Sequence, residues 1–420
     1  MKLMRQADPV LVSEDKSWIR LVGLSAVLFF VFLGDAILSD WVPAYMQESL
    51  GGPLIMGMVM SFSSIVGLGA DLLLPQLMKH ATSGRLMTMA IGASLIFSGI
   101  LMWSIQWPVV LLFLIGMGVW GIYYEFLGFG SQQMVAETVR PSGRSGAWAT
   151  IGIFKSLAYF LGPILGSWLA ISQGNTQVVY FAAGFVVIGY VFWKMLKYVG
   201  KEEDKTQELG EKLNIVDEID HWRVLLVHVW PILIISLVLG LVDATFWTTG
   251  TVLSDNLARQ HWLGGMFLPF YMLPPVIVGV FLAKWGLKTG KKKMAEKFML
   301  LGGVCLSLLG ITDGIWLLLL ASLATGIMLS VAWPMMEAVY SDIVFRMGRE
   351  RKHMMGLSNS TTSIAYIIGP VSAGWLASMV GEKMTFVIVG VFTVVVSLVL
   401  LAVTPKKLRL PQGEIAEWKD

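Results

Sequence analysis

Long apolar stretches alternate with short polar breaks along the whole chain of 420 residues. Twelve stretches can be read, at 18–46, 53–77, 84–105, 108–134, 146–171, 176–198, 224–253, 262–286, 295–312, 315–343, 354–379 and 384–404. Most hold about 20 residues or more, enough for a helix to cross a hydrocarbon core of about 30 Å. Helix follows from necessity, because a peptide group left unpaired in lipid costs several kcal/mol. The ninth stretch is the shortest. The pattern predicts an all-α integral membrane protein with twelve transmembrane helices.

Two polar regions frame these stretches. The first 17 residues are polar, and the apolar run after them is too long for a signal peptide and lacks a small-residue cleavage site. It reads as a first membrane helix. Residues 200–221, GKEEDKTQELGEKLNIVDEIDH, form the longest polar stretch and sit near the midpoint. They read as a cytoplasmic linker with room for a short amphipathic helix. The expected organisation is a six-helix half over 1–199, a linker over 200–222 and a second six-helix half over 223–420.

The halves repeat each other. Residues 156–170 read SLAYFLGPILGSWLA and residues 363–377 read SIAYIIGPVSAGWLA, with eight of 15 positions identical at an offset of 207. The copies fall in segments five and eleven. An even helix offset leaves both copies running the same way, so the halves are parallel repeats about an axis along the membrane normal. Leu33-Gly34 recurs as Leu239-Gly240 and Trp41 as Trp247, both 206 apart, and Glu125 in segment four is answered by Glu337 in segment ten.

Composition agrees, with 56% hydrophobic residues and 14% charged, against roughly 25% charged in a soluble domain. One cysteine, Cys305, excludes a disulfide framework and any multi-cysteine metal site. A net charge of +3 does not point to nucleic acid, because the basic residues cluster in alternate short loops. Lys2, Arg5, Lys16, Arg20, Lys79, Arg85, Arg140, Arg144, the Lys194–Arg223 region, Lys284–Lys297, Arg346–Lys352 and the tail from Lys406 share one side. The opposite loops carry only Arg259 and Lys383. By the positive-inside rule both termini are cytoplasmic, in a multi-pass protein of the cell membrane (plasma or inner).

Enzyme signatures fail on inspection. Gly116-Met-Gly-Val-Trp-Gly121 matches G-x-G-x-x-G, but it lies inside a membrane segment and reads as close helix packing. His80, His221, His228, His261 and His353 form no H-x-x-x-H pair, and no G-x-S-x-G elbow occurs. Neither an enzyme nor a bound metal or cofactor is expected.

With twelve segments as six plus six and a central linker, the chain resembles the major facilitator superfamily of secondary transporters. Three local patterns carry the resemblance. Gly162-Pro163 with Gly166 is similar to the fifth-helix G-P-x-x-G motif of proton-driven exporters, with Ala158 and Ala149 where that motif has small residues. Its second copy, Gly369-Pro370 with Ala365 and Gly356, makes it a mark of architecture rather than of export. Gly67, Ala70 and Asp71 resemble the start of the family's loop between helices two and three. The basic turn that should follow is stretched, and the second half places Lys284 where the aspartate would fall and keeps Lys291–Lys293. Arg144-Ser-Gly-Ala resembles the loop leading into helix five. The resemblance implies transport of a small organic solute by alternating access. It also implies gating or structural roles for Asp71, Arg144, Gly162, Pro163, Gly369 and Pro370, and a cavity lined by helices one, four, seven and ten.

Those four segments each carry an acid: Asp35, Glu125, Asp243 and Glu337. Each costs at least about 2.5 kcal/mol to insert and needs a reason. Counting along each helix puts Asp35 and Asp243 in the outer half of the bilayer and Glu125 and Glu337 nearer the cytoplasm. Trp247 shares a helix face with Asp243, and Trp333 and Tyr340 share one with Glu337. Acid beside aromatic ring suits a cationic or hydroxyl-rich solute. Lys155 is the single basic residue deep in a segment, and the depth estimate pairs it with Glu125. Thr362 holds the matching place in the second half, so Glu337 lacks such a partner. Burial favours the protonated form of a lone carboxyl, so Glu337 or Asp243 is the expected proton carrier, with Glu125–Lys155 structural or gating. The expected function is a proton-coupled secondary transporter acting as a monomer, in efflux or uptake. The alternatives are an uncoupled facilitator of the same fold and a non-transporting membrane scaffold or receptor.

Overall fold

The structure is a computed structural model that describes residues 14–77, 81–138, 144–199, 215–285, 290–311, 314–347, 351–405, 408 and 410. Six helices make the first half: α1 (Glu14–Leu50), α2 (Pro53–Leu77), α3 (Ser83–Gln106), α4 (Val110–Thr138), α5 (Arg144–Ser172) and α6 (Asn175–Val199). In the second half α7 (Ile215–Thr245) runs through a π-helical turn, Phe246–Gly250, into α8 (Thr251–Gln260). Then come α9 (Phe267–Met272), α10 (Pro274–Trp285), α11 (Lys291–Ser307), α12 (Ile315–Met347), α13 (Arg351–Val380) and α14 (Glu382–Val403).

Among the described residues, ten helical stretches are long and apolar enough to cross a membrane. Segments eight and nine make the remaining two crossings. The eighth is not the single helix expected over 262–286; it breaks at Leu273 into α9 and α10. Pro274 and Pro275 follow the break, and neither can donate a backbone hydrogen bond. The ninth, α11, has 17 residues and is lengthened by a 3-10 turn at Leu308–Gly310. Helix α7 starts at Ile215, inside the stretch expected as linker; residues 200–214 lie outside the described ones. So do Lys2, Arg5, Lys79, Arg140 and Lys406.

Each half has its own apolar core. One is built from buried residues between Leu21 and Trp193 together with Val252, the other from residues between Leu225 and Leu410. Trp247 and Met272 pack against both. Exposed apolar side chains cover the outer faces of α3, α6, α12 and α14, among them Ile96, Phe181, Phe192, Leu320 and Leu398. Lipid tails accommodate such a belt at no hydrophobic cost, whereas water would not.

Missing side chains set how closely the helices pack. A Cβ on Gly162 of α5 would stand 2.3 Å from the Ala36 Cβ of α1, and one on Gly369 of α13 would stand 2.5 Å from the Ala244 Cβ of α7. The two glycines of the repeat therefore make the same contact in both halves. This fixes the register between α1 and α7 at 208, since Ala36 matches Ala244, and it corrects the 206-residue matches of Leu33-Gly34 and Trp41. The false dinucleotide motif is packing too: a Cβ on Gly121 would stand 2.2 Å from the Ser63 carbonyl oxygen on α2.

The halves meet on the side away from the termini. A Cβ on Gly57 of α2 would lie 2.2 Å from the Pro370 carbonyl oxygen, and one on Gly374 of α13 would lie 2.3 Å from the Pro53 carbonyl oxygen. Backbone thus faces backbone across this seam. Gln47 Nε2 donates to Glu382 Oε1 at 3.0 Å, and Arg259 pairs with Glu48 at 3.7 Å. On the terminal side, Lys291 pairs with Asp342 of α12 at 2.8 Å, and Lys293 donates to the Leu401 carbonyl at 2.9 Å. The basic cluster of the second half thus ties α11 to α12 and α14.

Candidate functional site

A cavity of about 410 Å³ lies between the halves. Its wall includes Trp120, Tyr124, Glu125, Lys155 and Tyr159 from the first half and Asp243, Trp247 and Tyr366 from the second. Residues of α1, α2, α4, α5, α7, α9 and α13 line it, and none of α12 is among them. The expected lining by helices one, four, seven and ten is corrected accordingly: helices two, five, eight and eleven take the place of helix ten.

Each half places one aspartate in a cage of ring donors. Asp35 of α1 is buried, and both its oxygens are occupied. Trp120 Nε1 donates to Oδ1 at 2.7 Å, while the Tyr124 and Tyr159 hydroxyls donate to Oδ2 at 2.8 and 2.5 Å. Asp243 of α7 accepts from Tyr271 at Oδ1 (2.8 Å) and from Tyr366 at Oδ2. Tyr159 and Tyr366 are the shared tyrosine of the two repeat copies, and Asp35 and Asp243 stand 208 apart, in register with Ala36 and Ala244. The duplication therefore reproduces a carboxylate–phenol pair, not only a scaffold. The rings of Trp247 and Tyr159 meet nearly perpendicular with their centres 5.3 Å apart, so the halves touch at the first of these pairs.

Lys155 projects from α5 into the cavity wall. Its ammonium lies 5.3 Å from the centre of the Phe32 ring and 5.7 Å from that of Tyr159. It is close enough to both Asp35 and Asp243 to feel their charges. It makes no ion pair with a described residue, so the expected Glu125–Lys155 pair is not formed. Glu125 instead faces α2, where its Oε1 approaches Gly67 and the like charge of Asp71 acts on it. Glu337 is exposed rather than buried and lies outside the cavity wall. Its neighbours follow it: Trp333 is half-buried, and Tyr340 is buried and donates to the Ile232 carbonyl of α7 at 3.4 Å. The aromatic face expected beside Glu337 therefore belongs to helix packing. Of the gating residues, Pro370 lies in the wall, Pro163 sits within α5 beside Gly162, and Arg144 opens α5 with its side chain outside the described residues.

The acids of helices one and seven were apparent from the sequence, but their ring partners were not singled out. Tyr159 and Tyr366 carried a signal, being identical in both repeat copies. Trp120, Tyr124 and Tyr271 carried none.

A duplicated bundle enclosing a charged cavity between its halves has the architecture of a membrane transporter. A sequence model described as Major Facilitator Superfamily matches residues 125–295 and 244–420, and the chain belongs to that family. It is a multi-pass membrane transporter and not an enzyme. No curated protein sequence matches it. Among solved structures it is similar to a point variant of the nucleoside transporter NupG, with a TM-score of 0.72 at 13% identity over 91% of this chain and 99% of that one. A bacterial homologue of the human drug peptide transporters PepT1 and PepT2 gives 0.71 at 12% identity over 93% and 98%. The human organic anion transporter MFSD10 gives 0.65 at 16% over 91% and 99%. At these identities the likeness is one of fold.

Proposed function

We propose that this chain is a proton-coupled secondary transporter of a small organic solute, with Asp35, Lys155 and Asp243 as its charge-coupling centre. One observation carries the reading: Lys155, in the cavity wall, lies within electrostatic reach of two matched aspartates, one from each half. A lysine that changes its nearer aspartate as the halves rock would link protonation to the direction in which the cavity opens. The residues 1–199 and 223–420 are then the two rocking bodies, joined by 200–222, and the basic loops place both termini in the cytoplasm of a cell-membrane monomer. The solute lies against Trp120, Tyr124, Trp247 and Tyr366, with Glu125 beside it.

The test is uptake by purified protein in liposomes, with and without an imposed pH gradient. Radiolabelled nucleosides, small peptides and organic anions serve as probes, these being the solutes named for the structural neighbours. Gradient-stimulated uptake that disappears in Asp243→Asn supports the reading; uptake indifferent to the gradient overturns the proton claim. A second reading is an uncoupled facilitator. It is favoured by the full occupancy of the Asp35 oxygens, which suits a purely structural carboxylate.

A further inference from the structure

One buried acid plays no part in that centre. Asp40 lies on α1 beyond Asp35, toward the side away from the termini, and is 5% exposed. The seat for its carboxyl is made by the G-P-x-x-G pattern of α5: a Cβ on Gly166 would stand 3.0 Å from Asp40 Oδ2. Gly162 and Gly166 thus receive Ala36 and Asp40, two residues one turn apart on α1. Ser167 Oγ donates to Asp40 Oδ2 at 3.0 Å, while Asp40 Oδ1 is buried with no hydrogen-bond partner.

This seat lies in the seam between the halves. A Cβ on Gly265, in the turn after α8, would stand 3.3 Å from the Ser167 Cβ. Asp255 of α8 acts on Asp40 electrostatically across the seam. The other titratable groups described on this side are Arg259, paired with Asp255 at 2.9 Å, Glu48, which Arg259 reaches at 3.7 Å, His261, whose Nδ1 accepts from the Leu263 N–H at 3.1 Å, Glu382, which accepts from Gln47, and Lys383; Arg259 and Glu48 are largely exposed. On α1 itself the nearest titratable group is Asp35, already held by its three donors. Among the described residues no cation is bonded to Asp40. A small vestibule of about 230 Å³, walled by Trp41, Tyr45, Glu48, Asp255 and Arg259, reaches Asp255 at this seam.

An ionised carboxylate with one oxygen unpaired among buried atoms is costly, because the interior supplies nothing in place of its lost water. The neutral carboxyl fits the closed seam, and the ionised one fits a seam parted to water. The position has no acidic twin: at the register of 208 its counterpart is Thr248, whose hydroxyl donates to the Ala244 carbonyl of its own helix.

We infer that Asp40 is a proton-binding site of the seam itself, taking its proton from the side away from the termini and holding it for as long as the halves are closed there. The inference rests on the proposed proton coupling but places a proton at a different residue, so the two can fail separately.

The test reads the seam without any solute. In a Cys305→Ser background, spin labels at Ile171→Cys on α5 and Trp262→Cys after α8, both exposed positions on opposite halves, report the separation by pulsed electron resonance in nanodiscs. Acid pH is expected to favour the short distance and alkaline pH the long one. Asp40→Asn is expected to hold the short distance at every pH, with Asp35 and Asp243 intact, and Asp40→Glu to restore the pH response. A pH response retained in Asp40→Asn overturns the inference, and so does its loss in both variants. A seam that responds to pH through Asp40 in a protein whose uptake ignores the pH gradient sinks the transport proposal and leaves this site standing.

Discussion

The hydroxyls of Tyr159 and Tyr366, 207 positions apart, each donate to the aspartate of the helix packed against them, Asp35 in one half and Asp243 in the other. The pairing is held by the same glycine contacts, Gly162 on Ala36 and Gly369 on Ala244. A phenol that donates to a carboxylate stabilises its ionised form, so removing it changes the ease of protonation at one half only.

Tyr159→Phe and Tyr366→Phe each delete one charge-assisted hydrogen bond, worth about 1.5–3 kcal/mol. Gradient-driven uptake is expected to fall by roughly tenfold to a hundredfold in either variant. Its pH profile should move with it, because the remaining donors hold the carboxylate less firmly. Initial rates measured across a pH series check both.

Lys155 lines the cavity over the Phe32 and Tyr159 rings and pairs with no described carboxylate. Lys155→Gln is expected to leave the gel-filtration profile intact and to cut gradient-driven uptake by roughly tenfold or more, by analogy with loss of one partner from a buried charge set. Equilibrium exchange of labelled solute, which needs no proton, should suffer less. An equal loss in both assays contradicts a coupling role.

Glu337 is exposed and outside the cavity wall. Glu337→Gln is expected to leave the pH-gradient stimulation of uptake in place, because Glu337 lies outside the cavity wall, whereas Asp243→Asn should abolish that stimulation. Side-by-side uptake curves for the two variants decide this.

Gly57 and Gly374 admit no side chain while the seam is closed. Overpacking there costs about 1–3 kcal/mol, and the cost falls on the closed state alone. Gly57→Val and Gly374→Val are therefore expected to raise the open population on that side by about fivefold to a hundredfold. Labelling of Ser39→Cys, a cavity position, by an impermeant maleimide in a Cys305→Ser background should accelerate accordingly.

The fold could be read closely because hydropathy and the repeat act over whole helices. The break in segment eight had its signal in Leu273-Pro274-Pro275, although the stretch 262–286 reads as one helix by hydropathy alone. The site was harder for a definite reason. Counting residues into a membrane gives a depth but no direction around the helix axis. Lys155 and Glu125 were paired on depth alone, yet Lys155 turns toward Asp35 and Asp243, and Glu125 turns toward α2. The donors to Asp35 and Asp243 come from other helices, with separations of 124 for Tyr159 and 123 for Tyr366, so no local spacing announces them. Glu337 lies outside the cavity wall although its segment is apolar on all sides; which face meets neighbours is decided by packing, not composition. The register of 206 failed likewise, since matching letters weighed the same as matching contacts.

The closed seam has a kinetic meaning. Where Gly57 meets the Pro370 carbonyl and Gly374 meets the Pro53 carbonyl, neither partner has a rotamer to search or to freeze. Ordering a long side chain costs up to about 2 kcal/mol of conformational entropy, and this contact incurs none of it. Each half can leave and return as a stiff plate, and the same fit is recovered on every cycle. Speed and fidelity of closure then come from the residues that are smallest, and a single added methyl group would be felt as friction in the turnover rate before it was felt in the fold.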